Sequence, residues 1–240
     1  MARRRRRAAA PAARRRRRTT LNPRTGGFLG IELKFLDVSS TTPHALTAPT
    51  AANGGEIQPT AGCTGCLSAP AQGDGEQQRD GRKIIMRSIF IQGFLRIPIQ
   101  ANQSAIDAAG TVYLALVWHK QTNGATINSE DVFTNPSANT FMAAAPFRNM
   151  TNTTRFTVLQ SMQIPLPQVE AVFDGTNIEQ SGYEIPFKMS KSMNIPVSFT
   201  TGTTADVANV VDNSLHLVGY VSSTGTAPVV FYTSRMRFVG

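Results

Sequence analysis

Seven stretches of this chain read as strands, and four of them alternate apolar and polar residues at every second position. A strand sends successive side chains to opposite faces, so a strand with one buried face shows this period. In "GIELKFLDV", Ile31, Leu33 and Phe35 are expected on one face, with Glu32 and Lys34 on the other. In "RFTVLQSMQI", Phe156, Val158, Met162 and Ile164 are expected to oppose Arg155, Thr157, Ser161 and Gln163. "TVYLALVWHK" turns Val112, Leu114, Leu116 and Trp118 to the core, and "SLHLVGYV" does the same with Leu215, Leu217 and Val221. "KIIMRSIFIQGFLRIPI" is apolar on both faces, as in a strand packed on two sides or bent at Gly93. "EIPFKMSKSMNIPVSF" and "VVFYTSRMRFV" complete the set.

These segments place strands at 30–38, 83–99, 111–120, 155–164, 184–199, 214–221 and 229–239. An eighth is expected within 165–183 or 200–212. Helix signals are confined to Ser129 before Glu130 and Asp131, and Ser137 before "ANTFMAAA". Such a chain reads as an all-β sandwich of two sheets in a single domain, residues 25–240. The connection 39–83 is long, and its shortage of charged and aromatic residues predicts a surface excursion.

Charge separates the first 24 residues from the rest. Of the 24 Lys and Arg residues, eleven lie there: Arg3, Arg4, Arg5, Arg6, Arg7, Arg14, Arg15, Arg16, Arg17, Arg18 and Arg24. No Asp or Glu accompanies them. The other 13 basic side chains face 15 acidic ones, so residues 25–240 carry a formal charge of −2. The pI of about 10.3 therefore belongs to the arm. Like charges without apolar surface do not collapse, which predicts disorder over residues 1–24. Guanidinium stays charged and forks onto phosphate oxygens, so the arm reads as a nucleic-acid binder, and its basic pentamers also read as nuclear-import signals. No apolar core follows the arginines, as a secretory signal would require. No run of 18 apolar residues occurs, so no membrane partner is expected.

Catalytic and metal signatures are sparse. HExxH, GxSxG, P-loop and GxGxxG patterns are absent. His119 and His216 fall on the polar sides of their strands, where a solvated or hydrogen-bonded imidazole is expected, and His44 lies in a loop. Cys63 and Cys66 have the spacing of half a zinc site, but the second half is missing, so they read as two free loop thiols. No catalytic residue, metal ligand or cofactor is proposed.

"IELKFLD" (31–37), "QGDGEQQRDGRKI" (72–84), "LALVWHKQTNG" (114–124) and the closing "SRMRFVG" resemble the capsid proteins of circovirus-like viruses with circular single-stranded DNA genomes. The likeness extends over most of residues 28–240 as an order of strands. Circovirus arms interleave aromatics and histidine with arginine, whereas this arm uses Ala, Pro and Thr, which places it among relatives of that group. The resemblance implies an eight-stranded jelly roll and a closed icosahedral shell of sixty copies. It also implies a packaged single-stranded DNA genome and import receptors that carry the protein to the host nucleus before assembly into virions, and it leaves the host-cell receptor open. Arg87, Arg96, Arg235 and Arg237 are the candidates for secondary contacts to the genome. Three other readings share some features: the coat protein of a small RNA virus, a cellular nucleic-acid-binding protein, and a β-sandwich enzyme with a basic tail.

Overall fold

The computed structural model describes residues 32–40, 42–46, 56–59, 61–97, 100–103, 110–134, 147–167, 171–173, 178–180, 182–222 and 227–240. The arm and the Ser137 segment lie outside these residues. Strands run as β1 (Leu33–Ser39), β2 (His44–Ala45), β3 (Lys83–Ile97), β4 (Gln100–Gln103), β5 (Gly110–His119) and β6 (Phe156–Leu166). They continue as β7 (Ala171–Phe173), β8 (Ile178–Gln180), β9 (Tyr183–Phe199), β10 (Val210–Asp212), β11 (Ser214–Val221) and β12 (Val229–Val239). A four-residue helix, α1 (Ser129–Val132), precedes β6. Seven strands coincide with the segments read as strands to within three residues at each end.

One sheet has the order β1-β12-β3-β9-β10, with β2 beside β12; a second has β11-β5-β6; a third, small one has β4-β8-β7. All pairings between these strands are antiparallel. The first two sheets share one apolar core. Leu36, Ile84, Ile91, Met189 and Met236 of the first meet Val112, Leu114, Leu116, Leu215 and Leu217 of the second. Each such side chain removed from water contributes roughly 1.5–3 kcal/mol.

The faces of two strands differ from the alternation. In β1 the buried residues are Lys34, Leu36 and Val38, while Leu33 and Phe35 are only partly covered. The expected face of Leu33 and Phe35 is thus the wrong one, and Ile31 lies outside the described residues. The apolar neighbours Phe35 and Leu36 allow either parity, and Lys34 is tolerated inside because Asp80 meets its amine at 2.5 Å. In β6 the register shifts against Leu116 and Val117 of β5. This bulge changes the strand's parity. Phe156 and Val158 therefore join a second cluster, whereas Met162 and Ile164 pack in the main core.

That second cluster covers the other face of the β11-β5-β6 sheet. Ile127, Val132 and Phe133, from the loop carrying α1, cover Tyr113, Ala115, Val117, Val218 and Tyr220. Phe133 meets Tyr113 and Tyr220 edge-on, at centroid distances of 5.5 and 6.0 Å. β11 is consequently buried along its whole length. His119 and His216, expected in a polar, solvated setting, are both sealed in: the polar side of each strand is covered by protein.

The long connection is a surface excursion only in part: residues 74–77 are exposed, whereas Ile57, Cys63, Cys66, Leu67 and Ala69 are buried in the core. Residues 56–59 and 61–69 form an irregular strap that reaches β11 near its own two ends. Glu56 bridges Val218, Ile57 N donates to Leu217 O at 2.7 Å, and Leu67 N donates to Leu215 O at 2.8 Å. Gly219 leaves room for it. A Cβ there would lie 2.8 Å from both Ile57 Cδ1 and Leu46 Cδ2, so any side chain would make those tips shift. The windows 165–183 and 200–212 do contain strands, but these are the three-residue β7, β8 and β10. The neighbour of β11 opposite β5 is the strap.

Candidate nucleic-acid interface

Arg3 to Arg7, Arg14 to Arg18 and Arg24 fall outside the described residues, so the geometry available to a phosphate partner is that of the β1-β12-β3-β9 sheet. Its solvent face carries Arg87, Arg96, Arg235 and Arg237 together, because they occupy the exposed parity of β3 and β12. Lys188 on β9 is cross-strand from Gln92 on the same face.

These arginines divide into two kinds. Arg235 forks onto Asp37, with Nε donating to Oδ1 at 2.7 Å and a terminal nitrogen to Oδ2 at 2.6 Å. That contact holds its guanidinium above the ordinary pKa, and the group lies 4.9 Å from the Phe35 ring centre. Arg96 donates to Glu184 at 2.8 and 2.7 Å and covers the stacked rings of Phe94 and Phe231, at 5.4 and 5.0 Å. Both of these charges are already matched. Arg87 meets only a neutral acceptor, Asn194 Oδ1, and Arg237 lies opposite Phe35 and Ser88. Neither pairs with a carboxylate among the described residues.

A groove of about 460 Å³ crosses the middle of this face, lined by Gln92, Phe94, Pro186, Lys188, Phe231 and Thr233. Beside it, Phe90 is 41% exposed and sits cross-strand from Arg235. Aromatic rings and cations on one open face are what single-stranded nucleic acid uses, bases stacking while phosphates find charge.

The motif 72–81 does a different task, and its central residue was absent from the sequence candidates. Arg79 is fully buried. Its two terminal nitrogens donate to Gly81 O and Gly202 O, each at 2.5 Å, and its guanidinium stacks 4.3 Å from the Phe199 ring centre. Burial lowers its pKa. Around it, Arg79 N donates to Ala71 O, Gln72 N to Thr203 O and Phe35 N to Glu76 O. The motif is a clasp joining β1, β3 and the 200–203 turn. A buried arginine cannot be told from a solvent-facing one without the partner carbonyl of Gly202, 123 residues away.

A second buried network escaped the sequence as well. Glu56 bonds His216 Nδ1, His216 Nε2 bonds Ser214 Oγ at 2.7 Å, and Ser214 Oγ bonds Thr122 Oγ1 at 2.7 Å. Carboxylate, imidazole and hydroxyl stand in the bonding order of an acyl-transfer triad. Ser214 is sealed at 0% exposure, however, which leaves no space for a substrate carbonyl. The network fastens the strap to β11. Nearby, Arg155 Nε donates to His119 Nε2 at 2.9 Å, and His119 Nδ1 has no hydrogen-bond partner. Burial, then the proximity of His216 and Arg155, lowers the His119 pKa to about 3. This imidazole is neutral.

Cys63 and Cys66 are free thiols inside the core, 3.7 Å apart. No group of three or more His, Cys, Asp or Glu side chains among the described residues could hold a metal ion. No helix of the described residues is long and apolar enough to cross a membrane. No protein-family model matches the chain, and no curated protein matches it in sequence.

Proposed function

We propose that this chain is a structural capsid protein that self-assembles into a small icosahedral shell and packages single-stranded DNA through its arginine arm. The observation that carries the reading is the joining of two opposites. A stretch of 24 residues with eleven arginines and no acid precedes a body of formal charge −2, and that body is an all-β structure with a shared two-sheet core.

The sheet order supports the jelly-roll form. The first strand pairs with the last, and the last inserts between β1 and β3. The order β1-β12-β3-β9 faces β11-β5-β6, whose free side at β11 is flanked by the irregular strap, which supports a two-layer wrapping. Alternate strands in sequence thus tend to fall on different layers, the wrapping that defines a jelly roll. The arm supplies the affinity for cargo, since phosphate contacts by Arg are independent of sequence. Arg87 and Arg237 add sheet-borne contacts, whereas Arg96 and Arg235 chiefly hold the sheet face together. The Glu56–His216–Ser214 network is structural, and the protein is no enzyme. Its partners are copies of itself, the genome, and import receptors of the host nucleus.

The test is expression of the full chain followed by negative-stain microscopy and nuclease treatment of whatever copurifies. Uniform closed shells holding DNase-sensitive single strands are expected. A monomer across salt and concentration would refute the capsid reading, and RNase-sensitive cargo in uniform shells would turn it toward an RNA genome.

A further inference from the structure

We propose that Cys63 and Cys66 are a peroxide-closed dithiol, which on oxidation forms an intramolecular disulfide that staples the 63–66 turn of the strap. The two sulfurs are 3.7 Å apart and share a hydrogen bond, with Ser68 Oγ donating to Cys66 Sγ at 4.0 Å. Closing to the bonded length of about 2.05 Å needs a local shift only, since Cys63 and Cys66 flank a tight turn. The turn itself is pinned. Thr64 N donates to Ala205 O at 2.9 Å and Val207 N donates to Thr64 O at 2.8 Å, while Leu67 N holds Leu215 O. Gly65 takes φ +77°, and a Cβ there would lie 2.6 Å from Val207 Cγ1. The sulfurs are thus held near each other by the fold.

Their surroundings make the two thiols unequal. The hydrogen bond shared with Cys66 lowers the Cys63 pKa against the effect of burial, with backbone amides of Ala69 and Cys66 adding to it; burial raises that of Cys66 well above the ordinary thiol. Cys63 is also the less buried, at 5% exposure against 1%. Cys63 is therefore the attacking group and Cys66 the resolving one. The Cys63 thiolate attacks one oxygen of hydrogen peroxide, the O–O bond breaks, and a sulfenic acid forms while hydroxide leaves and takes up a proton as water. The Cys66 sulfur then attacks the Cys63 sulfur, its proton and the hydroxyl departing together as a second water. Two thiols lose two hydrogens and one peroxide becomes two waters. Peroxide suits these sulfurs, since at 5% and 1% exposure they offer little access to a bulkier disulfide oxidant.

The experiment treats the full chain, native and reduced, with a small excess of hydrogen peroxide. Intact mass should fall by about 2 Da, the two thiols titrated after denaturation should fall to none, and the amides of Thr64 and Leu67 should exchange several-fold more slowly. In Cys66→Ser, dimedone should trap a sulfenic acid at Cys63; in Cys63→Ser, Cys66 should react at least tenfold more slowly than Cys63 does in Cys66→Ser. Persistence of both thiols in the native chain, under conditions that oxidise it in urea, overturns the proposal. So does a disulfide between two chains, equal reactivity of the two single variants, or unchanged exchange after oxidation. The mass and thiol measurements use the natural sequence, so a variant that folds poorly does not decide the outcome.

Discussion

Lys34 Nζ lies 2.5 Å from Asp80 Oδ1, with the lysine side chain 3% exposed and the aspartate 55%. A cation of the first strand is thereby carried inside and met by the clasp that precedes β3. The pair is lopsided: removing the acid strands a buried charge, whereas removing the lysine leaves a wet carboxylate.

Asp80→Ala should cost about 2 kcal/mol, below the full penalty for a broken buried pair because one partner remains half in water. Lys34→Met should cost less than about 1 kcal/mol, since an apolar chain of similar length fills the same space. Urea denaturation of both variants measures the difference. Equal losses would show that the charge contact contributes no more than packing.

Arg79→Lys should destabilise nearly as much as Arg79→Met, by about 3 kcal/mol. An ammonium cannot reach Gly81 O and Gly202 O together while stacking flat on Phe199. Thermal unfolding compares the two variants, and a lysine that restores natural stability would refute the planar-clasp account.

Stability should fall with acid through His119. Its folded pKa of about 3 lies below the ordinary 6.5, so the unfolded chain takes up a proton that the folded chain refuses. Above pH 6.5 the effect vanishes; between 6.5 and 3 the loss grows by about 1.4 kcal/mol for each pH unit. Chemical denaturation from pH 7 to 4 should show this slope, and His119→Asn should flatten it. Identical slopes in the two proteins would place the acid sensitivity elsewhere.

Binding to single-stranded DNA should follow salt with a slope near −6 to −8 in log K against log salt, as about −0.7 per phosphate for eight to eleven contacts implies. Deleting residues 1–24 should collapse that slope. Within the full chain, Arg87→Ala with Arg237→Ala should lower its magnitude by about 1.4, two contacts' worth. Arg96→Ala with Arg235→Ala should leave it nearly unchanged, because Glu184 and Asp37 already neutralise those residues. A titration in which both pairs behave alike would show that the carboxylates do not govern which arginines reach the strand.

The strands were legible because alternation is a local property: β5, β9 and β12 need no distant residue to be recognised. Which face of β1 is buried was not, since Lys34 is acceptable inside only beside Asp80, 46 residues on. The β6 bulge was equally hidden, because a register shift belongs to the pairing with β5. The strap escaped because it touches β11 through isolated contacts at 56, 57 and 67, too few to impose a period. At the candidate interface the charge of the arm was plain from composition. The division of the sheet arginines was not, as Asp37 is 198 residues from Arg235 and Glu184 is 88 from Arg96.

β12 lies between β1 and β3, with Leu33 opposite Val239 and Ile85 opposite the same residue on the far side. During synthesis, then, the large sheet has a gap between β1 and β3 until residues 229–239 have left the ribosome. β1 and β3 emerge first and must wait with unpaired edges, a liability for aggregation that long-range pairing imposes. A nascent chain halted anywhere before β12 cannot complete this sheet, whatever the state of its first 228 residues. Closure of the sheet thus waits on translation: only chains made through β12 can join β1 to β3.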